Sequence, residues 1–480
     1  MYSFGDWKVS NRKRSLFVAD YDLIIIGSGA AGFSAAVKAR SLGAARVAII
    51  ERGTLWGTCV NYGCVPSKFL ITLADLVYYK NLHHPGVVVD SSFGLAQALE
   101  EKHAIIDRSL SKKYQSLVGE KGVEIITGQA SFISPHELRV GERILTAPRF
   151  IIATGSSPSV PPVVGLRDIP YLTNIEALEP DKIPARLIVI GGRALGLEFA
   201  QLYAHLGSNV TVLQRSARII PEEEPEISDG MAGYLREEGI EIRTDADIRS
   251  VRKDGDSVKL LAHFDGKPEE FTGDSILLAT GRSPNTEGLG LENAGVETAR
   301  GGAIVVDEYL RTSARHIWAA GDVLGEPQLE PAAKVGGSLA AENAIAGTQR
   351  VFNRREIPHA IFTTPQVASV GITEEAARRA GMHVTTRCTR MDAIVKSAIT
   401  GDTRGMVKIV AEQESGRILG VHICASLAAD MIQEGVVAVK HQLTVRDITE
   451  TFHVFPTMTE ILWVCARSFG HESDGGCDSK

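Results

Sequence analysis

The sequence predicts an α/β fold with two nucleotide-binding units and a separate C-terminal unit. Three observations carry that prediction. A glycine-rich turn, Gly27-Ser28-Gly29-Ala30-Ala31-Gly32, joins an apolar strand pattern to a helix pattern. A second turn, Gly191-Gly192-Arg193-Ala194-Leu195-Gly196, repeats the arrangement. The phrase Ala153-Thr154-Gly155-Ser156-Ser157-Pro158 recurs as Ala279-Thr280-Gly281-Arg282-Ser283-Pro284. At 480 residues the chain is too long for one core, and about three domains are expected.

Each element follows from its residues. Residues 1–20 read as a polar arm. Tyr21 to Ile26 reads as a buried strand, Ala30 to Ser41 as a helix, and Arg46 to Ile50 as the next strand, closing at Glu51. Gly27 allows the tight turn, Gly29 lets a pyrophosphate approach the backbone, and Gly32 lets helix pack on strand. The helix N-terminus, from Ala30, then faces the phosphates. Glu51, 19 residues after Gly32, is placed to accept from ribose hydroxyls. In the second unit Leu187 to Ile190 reads as a strand, Leu197 to Leu206 as a helix and Asn209 to Leu213 as a strand. Ala319-Ala320-Gly321-Asp322 suggests a return to the first unit, so the second is inserted in it. The expected division is an arm over 1–20, a first nucleotide domain over 21–158 and 285–355, and a second over 159–284. A third domain spans 356–469, and a polar tail spans 470–480.

Composition excludes several functions. Net charge is −7 and the only basic block is Arg12-Lys13-Arg14, so nucleic acid is a poor partner. Mean hydropathy is +0.02, and no apolar run approaches the ~18 residues of a membrane span. The N-terminus carries no secretory pattern. Six cysteines make no disulfide scaffold and fit a reducing cytoplasm with one special pair.

The acid slot separates the two nucleotide sites. The first has Glu51; the second has Gln214, 18 residues after Gly196, followed by Arg215 and Arg218. A carboxylate would repel a 2′-phosphate, whereas an amide beside guanidinium would not, so NADPH is expected over NADH. The competing reading makes both arginines ordinary surface charges. Arg193 fills the middle glycine slot, and its side chain must turn from the pyrophosphate or pair with it.

That special pair is Cys59 and Cys64, in Gly57-Thr58-Cys59-Val60-Asn61-Tyr62-Gly63-Cys64-Val65-Pro66-Ser67-Lys68. A structural metal site would need further Cys or His nearby, and His83-His84 are distant. A structural disulfide does not fit a reducing cytosol. A redox pair does: two thiols hold two electrons and release them as a disulfide. Pro66, near the start of a helix from about Val65, would aim that helix N-terminus at the sulfurs and favour thiolate.

These motifs together resemble the flavin-dependent pyridine nucleotide-disulfide oxidoreductases, among them glutathione reductase, dihydrolipoamide dehydrogenase and mercuric reductase. The likeness covers roughly residues 20–470. It implies two Rossmann-like dinucleotide-binding domains, for FAD and then NADPH, and a C-terminal α+β domain that holds a homodimer. It implies that Cys64 contacts the flavin and Cys59 exchanges with substrate. Lys68 and Glu198 would form an ion pair beside the flavin, and Asp322 would bind its ribityl or phosphate groups. Arg52, Gly57, Thr58, Ala130, Thr154, Gly155, Gly281 and Arg282 would complete the cofactor contacts.

The C-terminal segment narrows the choice. The family's disulfide reductases use a His-Pro-Thr segment followed by Glu, whose histidine protonates the departing thiol. Here it is Phe455-Pro456-Thr457-Met458-Thr459-Glu460. Glu460 keeps its place, but the phenyl ring of Phe455 transfers no protons. His453, two residues off, reads as a surface or core histidine. A soft metal ion needs no proton shuttle, because thiolates bind it directly. The mercuric reductases also replace that histidine with an aromatic residue and lose the middle glycine of the second fingerprint. Stretches Ile151 to Leu178 and Phe362 to Gly371 are similar to theirs. The resemblance therefore implies reduction of Hg(II) to Hg(0), the ion held by Cys59 and Cys64. Against the vicinal cysteine tail of those enzymes, this chain has Cys477 alone as a metal relay. Cys465 reads as core, and Cys388 and Cys424 as structural and unpartnered. The alternatives are another acceptor (a quinone, another metal ion or an unusual disulfide) or a redox-sensing flavoprotein.

Overall fold

The computed structural model describes residues 19–79 and 92–470; the N-terminal arm, His83-His84 and Cys477 lie outside them. The first sheet is parallel, in the order Ile317–Ala319, Phe150–Ile152, Leu23–Ile26, Val47–Glu51, Glu124–Thr127. Leu23, Ile24, Ile25, Ile49, Phe150, Ile151 and Ile152 are fully buried. A strand covered on both faces is apolar throughout rather than alternating, which is the pattern of these segments. Its edge strand, Ile317–Ala319, arrives from far downstream and sets Ile317 against Phe150.

Between those strands lies a second parallel sheet, in the order Glu241–Arg243, Asn209–Leu213, Arg186–Ile190, Ser275–Leu278. The duplication reaches beyond the fingerprints. Each unit adds a three-stranded antiparallel ribbon: Ala130–Ser134, Glu137–Val140, Arg143–Thr146 in the first, and Asp247–Asp254, Ser257–Phe264, Lys267–Gly273 in the second.

The turns match atom for atom. Gly27 has φ +104°, and a Cβ there would lie 2.3 Å from the Ala153 carbonyl oxygen. Gly191 has φ +113° and the same 2.3 Å clash with Ala279. A Cβ on Gly32 or Gly196 would sit 1.9 Å from the carbonyl oxygen of Gly27 or Gly191. Each repeated phrase thus closes over the turn of its own fingerprint. The helix Ala194–His205 begins three residues before the expected Leu197. The turn needs only its first residues, and Arg193 caps the helix in extended backbone as Gly29 caps Ala30–Ser41.

The two units are stitched together by the repeated phrases. Ser156–Pro158 pairs antiparallel with Arg282–Pro284. Asn285 accepts from Thr154 Oγ1 and Ser157 Oγ and donates to Thr154 O. The C-terminal sheet is antiparallel, in the order His359–Ile361, Gln366–Gly371, Ile418–Ala425, Met406–Glu412, Val384–Arg390. Helices Ala428–His441 and Glu460–Arg467 pack on it. Cys424 and Cys465 are buried in this unit with free thiols. Cys388 departs from the sequence expectation: it is disulfide-bonded rather than unpartnered. Among the described residues no helix is long and apolar enough to cross a membrane.

Candidate redox-active site

The thiol loop is built onto the first fingerprint. Ser28, in the variable slot of that turn, donates its Oγ–H to Glu51 Oε2 at 2.6 Å and accepts from the Trp56 N–H at 2.8 Å. Trp56 is buried edge-to-face on Phe33. The short helix Gly57–Asn61 follows, carrying Thr58 and Cys59, and Asn61 ties it back by donating to Leu55 O and Gly57 O. Gly57 has φ +70°, and a Cβ there would lie 2.7 Å from Gly29 Cα. Beside Gly29 the same construction meets nothing nearer than 3.9 Å. The turn therefore presents bare backbone to an open face, which fits the pyrophosphate of a dinucleotide at a helix N-terminus. Asp322, which accepts from Ser156 Oγ at 2.8 Å, stands at the end of the returning edge strand. Arg282 donates to the same Ser156 through Nε and Nη2, and burial pushes its guanidinium down against the opposing pull of Asp322. Ala130 is buried at the start of its ribbon strand, and Arg52 is exposed and reaches Gln129 at 3.4 Å.

Cys64 opens the helix Cys64–Tyr79, one residue before the expected start. Cys59 is half-buried and Cys64 exposed, and both are thiols within hydrogen-bonding reach. The pair is electrically unequal. The hydrogen bond from Cys59 and the positive charge of Lys68 hold the Cys64 thiol below its ordinary range, against the effect of burial. The same hydrogen bond, then burial, pushes Cys59 up. Glu330 acts on both in the raising direction. The pair is thus polarised: Cys64 is the more acidic thiol and Cys59 the one that holds its proton more tightly.

Lys68 lies one turn along from Cys64. Its Nζ sits 2.6 Å from Glu198 Oε2, on the second fingerprint helix. Glu198 is buried, and its other oxygen accepts from the Phe362 N–H at 2.9 Å. The Phe362 ring lies under Lys68, 4.7 Å from Nζ. One ion pair therefore gathers the thiol helix, the second nucleotide unit and the C-terminal unit.

The second acid slot mimics the first. Glu51 Oε2 accepts from the Ser28 N–H at 3.0 Å, and Gln214 Oε1 accepts from the equivalent Gly192 N–H at 3.0 Å. Gln214 is buried and neutral, while Arg215 beside it is exposed. Arg218 pairs with Asp229 at 3.0 Å. Arg193 turns toward Glu222 at 3.5 Å and Glu326 at 3.8 Å.

At the C-terminus, Phe455 is 66% exposed, between the exposed Val454 and the cis-linked Pro456. His453 is held elsewhere, with Nε2 2.9 Å from Glu434. Glu460 keeps one carboxylate oxygen buried without a hydrogen-bond partner. No hydrogen bond or ion pair among the described residues joins Phe455 or Glu460 to the thiols of the same chain. The side chains that sequence reasoning missed are Ser28, Asn61, Phe362 and Glu330; Asn61 ties its own loop, and the others act through contacts distant in the chain.

Residues 21–337 match the pyridine nucleotide-disulphide oxidoreductase family model, and 357–465 match that family's dimerisation domain. The chain belongs to that family. This oxidoreductase is 41% identical over 453 residues to a mercuric reductase of Lysinibacillus sphaericus, covering 94% of this chain and 83% of that protein. It is 36% identical to a dihydrolipoamide dehydrogenase of Chaetomium thermophilum, covering 92% and 90% of the two chains. Among solved structures it resembles the Cu(II) complex of RclA, an HOCl-induced flavoprotein disulfide reductase from Escherichia coli. That match has a TM-score of 0.83 and 30% identity over 92% of this chain and 98% of that one.

Proposed function

We propose that this oxidoreductase uses NADPH to reduce a soft metal ion, Hg(II) first, held by Cys59 and Cys64. The observation that carries this reading is Phe455, an exposed phenyl where the disulfide reductases of the family need an imidazole. The mercuric reductase relatives support the same acceptor. FAD, in the first unit, supplies two-electron carriage between nicotinamide and thiols when bound. The chain's own residues do the rest. Gly27, Gly29 and Gly57 offer backbone to the pyrophosphate, with Glu51, Thr154 and Asp322 around the remaining polar groups. Gln214 and Arg215 admit the 2′-phosphate of NADPH. Cys64, the more acidic thiol, supplies the first soft ligand, and Cys59 becomes the second as the entering cation displaces its proton to water. The overall balance is one NADPH and one Hg(II) to NADP⁺, one proton and Hg(0), which leaves because it is uncharged. The C-terminal unit joins two copies into a homodimer, and a reducing cytoplasm keeps the pair available.

A second metal acceptor, Cu(II), is favoured by the solved copper complex of the flavoprotein disulfide reductase. A panel of acceptors tests the proposal. NADPH oxidation should be fast with mercuric ion and slow with lipoamide and glutathione disulfides; the reverse order contradicts it.

A further inference from the structure

The Lys68–Glu198 pair has a second pair behind it. Seven residues further along each of the same two helices, Asp75 Oδ1 meets His205 Nδ1 at 3.1 Å. Seven residues are about two helical turns, roughly 10 Å, so the same two faces meet again. The polarity reverses between the two contacts. The thiol helix offers a cation at 68 and an anion at 75, and the fingerprint helix an anion at 198 and a cation at 205. A slip of two turns would set like charges together, so the ladder admits one register.

His205 is clamped on both nitrogens. Its side chain is 2% exposed, and Nε2 lies 3.1 Å from Glu238 Oε2. The ring stacks on Tyr78, with centroids 4.1 Å apart and planes 6° from parallel. An imidazole facing carboxylates on both sides is held as the cation, since only that form donates from both nitrogens. The other groups facing it agree. Arg404 donates to Glu238 Oε1 at 2.8 Å and is itself braced by Asp402. Gln201 donates to Glu238 Oε2 at 2.7 Å, and Thr364 Oγ1 donates to Asp75 Oδ2 at 2.9 Å. The Tyr78 hydroxyl faces Glu238, and Tyr79 lies near Asp75 and Asp402. Three carboxylates thus surround one permanent cation, Arg404, and one conditional cation, His205.

We propose that His205 is a positioning residue for the thiol pair: as a cation it fixes the thiol helix to the second fingerprint helix and so holds Lys68 beside Cys64. This rests on the reading that the Cys64 thiolate carries the electrons. The two titrations have opposite signs. Cys64 is lowered, so its thiolate fades as pH falls. His205 is raised by its two carboxylates against burial, so the clamp is complete below the free imidazole value near 6.5 and fails as pH rises through the folded one.

The test follows the long-wavelength absorbance of a thiolate lying against the flavin in the NADPH-reduced holo-protein, across acid, neutral and alkaline pH. The wild type should give a bell, with Cys64 on the acid limb and His205 on the alkaline one. His205→Gln should lower the plateau and abolish the alkaline limb. His205→Lys should restore the plateau and carry that limb upward by about one pH unit or more. A wild-type profile with no alkaline fall overturns the proposal without needing any variant to fold, as does a His205→Gln protein that keeps the limb. Absence of the absorbance at every pH would instead contradict the proposed function itself.

Discussion

Replacing either partner of the Lys68–Glu198 pair should destabilise the protein, yet move the Cys64 thiol in opposite directions. Lys68→Met leaves the Glu198 carboxylate buried with the Phe362 N–H as its remaining donor. Such a stranded charge costs about 3 kcal/mol, the low end for a buried pair because the Lys68 side chain is 30% exposed. Glu198→Gln keeps an acceptor for Phe362 and leaves Lys68 free to turn toward water, so about 1–2 kcal/mol is expected. The thiol responds to charge. A cation one helical turn away, ~6 Å at an effective dielectric of ~40, contributes about 1.4 kcal/mol, or about one pKa unit. Lys68→Met should therefore raise Cys64 by up to about one unit, shifting the acid limb of the thiolate absorbance to higher pH. Glu198→Gln unmasks Lys68 and should shift that limb the other way by a few tenths of a unit. The assay is the pH dependence of the thiolate–flavin absorbance, with thermal unfolding of the same holo-proteins for the ranking. A shift of the same sign in both variants would refute the claim that Lys68 holds Cys64 ionised.

Further outcomes follow from other parts of the site. Phe455→His should confer disulfide reductase activity on the protein, measured with lipoamide or glutathione disulfide, because a proton donor returns to the slot; no gain would mean that position 455 does not select the acceptor. Gly57→Ala drives a Cβ to 2.7 Å from Gly29 Cα at φ +70°, so the purified protein should lose most of its bound flavin by absorbance while NADPH affinity is retained. Arg215→Glu should raise the KM for NADPH about tenfold or more relative to NADH, and an unchanged ratio would leave Arg215 as a surface charge.

The residues that could be read from the sequence are those whose role is local. Gly27 and Gly32, and their copies Gly191 and Gly196, announce themselves by spacing because the turn needs them within six residues. Cys59 and Cys64 do so because their loop and helix are continuous. The pairing of the two repeated phrases through Asn285 was not legible, since it joins strands more than 120 residues apart. Ser28 occupies a slot that the fingerprint leaves open, and its bridge from Glu51 to Trp56 exists only after folding. Phe362 acts through a backbone N–H, which has no sequence signature, although it lies in a stretch already similar to the mercuric reductases. The partner of Lys68 came from the family likeness rather than from spacing. Cys388 was misread because spacing cannot reveal pairing between distant cysteines.

The central claim is that electrons leave through the two sulfurs of Cys59 and Cys64 to an acceptor that needs no proton. It is tested most directly by mercury-dependent NADPH oxidation, with elemental mercury counted as product, in the wild type and in Cys59→Ala and Cys64→Ala. The account predicts one Hg(0) per NADPH in the wild type and loss of turnover in both variants, with flavin still bound. Near-normal mercury-dependent turnover in either variant would contradict it.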